Sequence, residues 1–399
     1  MDFVLKDQVF PEIAAWADEL AAIRHEIHEN PEIGYNTPLT VARIVKNLKA
    51  WGIERIDTET VQGGVVAVID GSRPGPTVAL RADIDALHMK DCSGKSWESR
   101  IEGNAHTCGH DGHQTWLMGA LRYLNLKRDF PGRVVGLFQP DEEGGTGAIS
   151  VIKSGFFEKY KVLEIFGAHD EPFLDKGVFG FRAGPLQAAS DIFFVKINGV
   201  GTHCGRPHLG VDPIPVGSQI VTALQTIVSR RVNPIETAVV SICSMNAGHY
   251  ETPNVVPHFL TLSGTVRTFT PEVRKLVEEK LKRIITGIAE ANDCTAEINF
   301  INLICAVNNP KHLVEAGISV VKKLYGEEHV VADMAPMMSS EDFGEYQRVK
   351  PGCIIRIGIR DKDHTVSLHN QAFDFNDEVL PAAATLLASL AKARLEALA

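Results

Sequence analysis

Between residues 12 and 29, apolar side chains fall at Ile13, Trp16, Leu20, Ile23 and Ile27, a helical spacing that Asn30-Pro31 ends. A second helix is expected over 37–51. Short β-branched runs follow at Gly64-Val-Val-Ala-Val-Ile-Asp70, Pro76-Thr-Val-Ala-Leu-Arg81, Arg133-Val-Val-Gly-Leu-Phe138 and 162–167, with a helical stretch over 115–126 among them. Strands alternating with helices predict an α/β sheet with parallel pairs.

The pattern changes after Gly184-Pro185. A strand over 190–199, a helix over 213–231 and strands over 238–242 and 259–267 come next. A helix over 271–293, with Thr270 placed as its N-cap, and a strand over 295–301 complete the set. This β-α-β-β-α-β order is that of a ferredoxin-like sandwich. A helix over 311–325, a strand over 352–359 and a helix over 377–395 resume the earlier pattern. The expected architecture is α/β: a mixed-sheet, three-layer domain over 1–186 and 302–399, with a ferredoxin-like α+β domain over 187–301 inserted into it.

Length and composition are compatible with this. A chain of 399 residues, 44% apolar and 23% charged, has core enough for two domains. A net charge of −10 argues against nucleic acid or anionic membranes as partners and leaves a small-molecule substrate. No apolar stretch approaches 18 residues. The first eight residues lack the cationic and apolar regions of a signal peptide. Seven widely spaced cysteines fit reduced thiols better than a disulfide framework, so a cytoplasmic protein is expected.

The candidate chemistry gathers where the predicted strands end. His106-Thr-Cys-Gly-His-Asp-Gly-His113 carries a thiol and an imidazole two positions apart, in a stretch read as too irregular for a helix. Glu142 and Glu143 follow the strand 133–138, Asp83 and Asp85 follow 76–81, His169 follows 162–167, and His369 follows 352–359. In open α/β sheets, ligands bind beyond the carboxyl ends of the strands. Soft, borderline and hard donors together suit a borderline divalent cation, with a spare carboxylate as base. Cys108 with a nearby His could instead be a nucleophile and base. The adjacent carboxylates oppose that, because they raise a thiol pKa unless a cation lies between them. A structural zinc site would show closely paired knuckles, and the sequence has none. In the inserted domain, Gly199-Val-Gly-Thr-His203-Cys-Gly-Arg206-Pro-His208 adds two imidazoles beside glycines.

The chain resembles the M20 metallopeptidase/amidohydrolase family, in its aminoacylase-like branch of hippurate hydrolases, indole-acetyl-amino-acid hydrolases and N-acetyl-diaminopimelate deacetylases. The resemblance covers nearly the whole length. It rests on Arg24-His25, His28 and Asn30-Pro31-Glu32, on Leu80-Arg-Ala-Asp-Ile-Asp-Ala-Leu87, on Cys108-Gly-His-Asp-Gly-His113 and on Phe138-Gln-Pro-Asp-Glu-Glu-Gly144. Asn254-Val-Val-Pro257, Gly264-Thr-Val-Arg-Thr-Phe269 and Ser340-Glu-Asp-Phe343 extend it.

The resemblance implies a hydrolase with two divalent ions per subunit, Mn²⁺ or Zn²⁺ with Co²⁺ or Ni²⁺ as further options. It implies Cys108, His110, Glu143, His169 and His369 as ligands, with Cys108 bridging. Glu142 matches the family's general base, acting on a metal-bridging water, and Asp85 a carboxylate that orients a ligand. His203 is similar to a residue that reaches a neighbouring subunit's site to stabilise the oxyanion, and Asn254 and Arg267 to groups that hold the substrate carboxylate. The inserted domain is then both lid and dimerisation surface, which implies a homodimer.

The chain departs from the family pattern in several places, among them the inserted-domain stretch Cys204-Gly205-Arg206 and the absence of an acidic residue after Gly34-Tyr35. Relatives usually read Gly-x-His-Asn-x-Pro where this chain has Gly167-Ala-His169-Asp170-Glu171-Pro172, and a Thr or similar where Gln114 stands. Asp170 and Gln114 are therefore read as substrate contacts. The expected reaction is hydrolysis of the amide of an N-acyl amino acid or a related small amide. The alternative is another C–N bond at the same site, such as hydrolytic deamination of an arylamine. A metal-free binding module that kept the fold is the third reading.

Overall fold

A computed structural model describes residues 8–399; most of the N-terminal segment read above for a leader lies outside the described residues. The chain divides into two compact units. The first holds the chain up to Leu186 together with Asn308–Ala335 and Asp342–Ala399, and the second holds Gln187–Val307 and Pro336–Glu341.

The first unit is built on an eight-stranded mixed sheet. Its centre is four mutually parallel strands, in the order Pro131–Gln139, Arg73–Asp83, Glu164–Asp175 and Gly352–Arg360. Val65–Asp70 adds to Pro131–Gln139 in the antiparallel sense. The central runs are buried on both faces, which is why they read as near-continuous apolar stretches rather than as an alternation. Register shows helices on both sides. Leu80 pairs with Gly136, which Leu121 of the helix His110–Lys127 overlies. Arg81 pairs with Gly167, one residue on and so on the opposite face, and there Phe343 of the helix Phe343–Gln347 covers the glycine. The sheet is thus the middle of three layers.

Parallel pairing brings the carboxyl ends of these strands to one side: Asp83 pairs with Gln139, and Arg356 with His169. The helix His110–Lys127 starts on that side. Residues 110–113 of the segment expected to be irregular form its first turn, which corrects that half of the sequence reading, while residues 106–109 lie outside the helix. Gly109, at φ +79, turns the chain into the helix, so the glycine that looked like a breaker is the residue that starts it. His169 and Asp170 lie within the strand Glu164–Asp175, which runs on past the predicted end at 167.

The second unit is a four-stranded antiparallel sheet in the order Ala238–Ala247, Phe259–Thr268, Ala189–Asn198, Thr295–Ile304, with the helices Pro213–Arg230 and Pro271–Glu290 packed on it. Numbered along the chain, the strand order is 2-3-1-4, the ferredoxin-like arrangement. Strand burial alternates, as expected for a sheet with one covered face. Thr270 caps its helix, Oγ1 accepting from Val273 N at 3.3 Å. The unit continues to Val307, where the residue pattern placed its end at 301, because the last strand runs to Ile304. It also takes in Pro336–Glu341, tied on where Ala188 N donates to the carbonyls of Met337 and Ser339.

Candidate metal centre

Five side chains from four chain segments of the first unit meet beyond the carboxyl ends of the parallel strands. His369 Nε2 lies 3.2 Å from Cys108 Sγ and 3.2 Å from Glu143 Oε1. His169 Nε2 lies 3.7 Å from the same sulfur. His110 Nε2 stands 3.9 Å from each of Glu142 Oε2 and Glu143 Oε1. Cys108 belongs to two sets of donors whose ligand atoms all fall within 4.8 Å of one another, Cys108–His110–His169 and Cys108–Glu143–His369. The sulfur is thus shared between two trios, each of which could hold a metal ion.

The imidazoles are set up as ligands by what their other nitrogens do. His110 Nδ1 is 2.9 Å from the carbonyl oxygen of Asp85, and His169 Nδ1 is 2.8 Å from that of Asp170. A carbonyl can only accept, so each Nδ1 carries a proton, and Nε2 is the nitrogen left to give its lone pair to a cation. His110 Nε2 is buried without a hydrogen-bond partner. Such an atom costs free energy unless something occupies the space before it, and a cation does so. The residues therefore fit divalent metal.

Electrostatics point the same way. Burial and the charges of Glu143, Glu142, Asp170 and Asp83 push the Cys108 thiol well above its ordinary range. A lone thiolate nucleophile is disfavoured here, and a cation among the carboxylates is what would reverse the balance. Burial opposes charging of His110, yet Asp83, Asp85 and Glu143 together raise it to about 10. Burial would raise Glu143, but His369 and His110 hold it below the usual carboxylate range. Burial raises Asp85, against the pull of His110. The cluster is short of positive charge.

Asp85 holds the acidic turn in place. Its two carboxylate oxygens accept from the backbone amides of Glu142 and Glu143, each at 3.1 Å. Asp141, just before them, adopts φ +59, so the turn is bent as well as tethered. Glu142 Oε1 accepts from Asp342 N at 3.4 Å, and Glu142 is 8% exposed.

Behind the ligands runs a buried polar chain in which Arg81 and His113 are the members given no role by the sequence reading. Arg81 Nη1 donates to Asp83 Oδ2 at 2.7 Å, and Asp83 Oδ1 meets His113 Nδ1 at 2.6 Å. His113 Nε2 lies 3.0 Å from Asp170 Oδ1, which is itself 3.0 Å from His169 Nδ1. His110 and His113 share a helical face at i, i+3, a signal that reading the segment as irregular concealed.

Two expected substrate contacts are corrected. Asp170 is fully buried, with its carboxylate engaged by His113 and His169. Gln114 is fully buried in the helix, its Nε2 donating back to His110 O at 3.2 Å. Neither faces an opening. Glu171 is likewise buried, and Arg356 offsets its charge at 3.3 Å.

In the second unit, His203 and Asn254 come together. Thr202–His203 pairs with Val255–Val256, Cys204 N donates to Asn254 O at 3.0 Å, and both residues line a groove of about 610 Å³. His203 Nδ1 accepts from Gly205 N at 3.0 Å, which leaves the proton on Nε2 as an outward donor. Arg267 lies near the far end of the strand Phe259–Thr268 from that groove, opposite Ser190, with Nη1 donating to Val266 O. All seven cysteines are free thiols. Among the described residues, no helix is long and apolar enough to cross a membrane.

Residues 79–393 match the model of peptidase family M20/M25/M40. The chain is 38% identical to the hippurate hydrolase of Campylobacter jejuni over 96% of its own length and 98% of that protein. It is 36% identical to the N-acetylcysteine deacetylase of Bacillus subtilis, over 96% and 98%. It superposes on a Bacillus subtilis protein described as a dinuclear metal binding peptidase from the M20 family with TM-score 0.83 and 33% identity, covering 96% of this chain and 99% of that one.

Proposed function

The chain belongs to peptidase family M20/M25/M40, and we propose that this hydrolase uses two divalent cations to cleave the amide of an N-acyl amino acid, releasing a carboxylic acid and an amine. The observation that carries the reading is the convergence of three imidazole Nε2 atoms on the Cys108 sulfur and Glu143, with Glu142 beside them. Relatives matched end to end, which bear the names of N-acyl amino acid hydrolases, support the substrate class.

Cys108, His110 and His169 would hold one cation, and Cys108, Glu143 and His369 the other, Mn²⁺ or Zn²⁺ by their mixed donors. When bound, such a pair supplies Lewis acidity that polarises the scissile carbonyl and lowers the pKa of water. Glu142 then takes the proton of the attacking water on its carboxylate and returns it to the leaving nitrogen, so that no net proton is gained or lost. Asp342 N–H fixes Oε1 for that work, while Asp85 holds the Glu142–Glu143 turn and, through its carbonyl, the His110 tautomer. Asp170 fixes the ring of His169 rather than touching substrate. The residues that suggested a different C–N bond are turned inward, so no observation now favours that alternative.

For the second unit we assign His203 Nε2–H to the oxyanion of a neighbouring subunit's substrate, and Asn254 and Arg267 to the substrate carboxylate. The support is the exposed, proton-bearing Nε2 and its shared groove with Asn254; Arg267, at the far end of its strand from that groove, is assigned on the family resemblance alone. The unit would serve as lid and as dimerisation surface.

Activity on a panel of N-acyl amino acids should vanish on chelation, return with Mn²⁺ or Zn²⁺, and be lost in Glu142→Ala with metal still bound. Activity that survives both treatments would refute the reading.

A further inference from the structure

Arg24, in the helix Ala17–His28, is completely buried at the meeting of two segments that carry metal-site residues. Its Nη1 lies 3.2 Å from Asp111 Oδ2, and Asp111 directly follows His110. The same nitrogen lies 3.5 Å from Asp374 Oδ1, in the loop that carries His369 five residues earlier. Nε and Nη2 bind both oxygens of Asp377 at 2.6 and 3.2 Å, so the guanidinium is fixed in plane. One rigid fork thus spans the helix start that bears His110 and the loop that bears His369.

Neighbouring groups brace both arms. His28 Nδ1 meets Asp111 Oδ2 at 2.8 Å, and its Nε2 meets Asp91 Oδ2 at 3.0 Å. On the other arm, Trp97 Nε1 and Lys95 Nζ each hold Asp374 at 3.1 Å. The two segments also touch directly: His369 N donates to the carbonyl of Thr107 at 2.8 Å. His369 itself sits at φ +58, a left-handed conformation that a residue with a Cβ keeps only where its surroundings over-determine it. Arg24 is central to those surroundings.

We propose that Arg24 is a positioning residue that sets the spacing between the Cys108–His110 segment and His369, and so determines how tightly the cation shared by Cys108, Glu143 and His369 is held. The inference rests on the two-cation reading and goes beyond it in assigning control of one cation to a residue that ligates neither. A lysine keeps the charge but not the fork, and a point charge cannot fix two carboxylates on separate segments in one plane.

The test is titration of metal-free wild type and Arg24→Lys with Co²⁺, reading stoichiometry, affinity by chelator competition, and the cobalt–thiolate absorption. Wild type should bind two equivalents per chain. Arg24→Lys should hold one with near wild-type affinity and the other roughly 10–100-fold more weakly, the range for groups that support metal ligands, with an altered thiolate band. A purely structural role would lower the melting temperature of the metal-free variant and leave both affinities and the spectrum unchanged. That result overturns the proposal. If Arg24→Lys does not fold, the double variant Asp374→Asn, Asp377→Asn carries the same test, since it removes both carboxylates that tie Arg24 to the segment following His369 and spares Asp111; two equivalents at wild-type affinity there would equally overturn it. Wild type binding no cobalt would sink the two-cation reading itself, and this inference with it.

Discussion

A Cβ on Gly109 would fall 2.8 Å from Oδ1 of Asp170, and the backbone there is left-handed at φ +79. Asp170 cannot swing aside, because His113 and His169 grip its carboxylate. Gly109→Ala should therefore cost about 1–2 kcal/mol from the backbone conformation alone, and should loosen His169 as well. Urea melts and metal content of the purified variant check both effects; a variant of unchanged stability with full metal would contradict them. His28 gives the pH dependence at this scale. Burial would depress it, but Asp111 and Asp91 outweigh burial and raise it from 6.5 to about 9. A raised histidine contributes its stability in full below the unfolded-state value and loses it as pH climbs through the folded one. The metal-free protein should thus weaken between pH 6.5 and 9 by on the order of 3 kcal/mol from this group, and His28→Gln should flatten that slope. A wild-type slope of the opposite sign would refute it. Of the individual residues, those with a chemical signature, Cys108, Glu142 and the histidines proposed as ligands, are visible in the sequence. Asp170 and Gln114 were misjudged because a polar side chain next to a ligand looks the same on paper whether it points into the cleft or behind the ligand. Burial separates the two, and burial is tertiary.

Among the elements, the parallel strands and the long amphipathic helices were legible because their periods are strong; Lys311–Tyr325 matches its expected limits. The start of the helix at His110 was not, because glycine reads as a breaker until its left-handed φ is known. The short strands Phe179–Gly180 and Val330–Val331 and the short helices Gly147–Lys153 and Phe156–Tyr160 lie below the length at which a period can be seen. Caps were readable. Thr270→Ala removes the bond to Val273 N and should destabilise the protein by about 1 kcal/mol. Calorimetry should show the loss while metal stoichiometry stays at the wild-type value, since the helix lies in the second unit and the metal cluster in the first. A fall in bound metal would mean that the units are coupled more closely than this account holds.

On the scale of the whole molecule, the proposed chemistry is split between a unit that gathers the metal ligands and a unit that presents His203 and Asn254 in a groove of its own. If His203 serves a neighbouring subunit, His203→Ala should lower kcat by roughly 10²-fold, as for loss of one oxyanion donor, without loss of metal. Mixing it with Glu142→Ala after dissociation and reassociation should then restore activity, because hybrid dimers pair an intact Glu142 with an intact His203. Failure to complement, with a monomer in light scattering, would contradict the dimeric reading. Metal-free protein is titrated with Mn²⁺ or Zn²⁺ while hydrolysis of an N-acyl amino acid and bound metal per chain are followed together. A two-cation site requires no hydrolysis without metal and a plateau at two equivalents per chain; full activity without metal, or a plateau at one equivalent with no second ion bound, would contradict it.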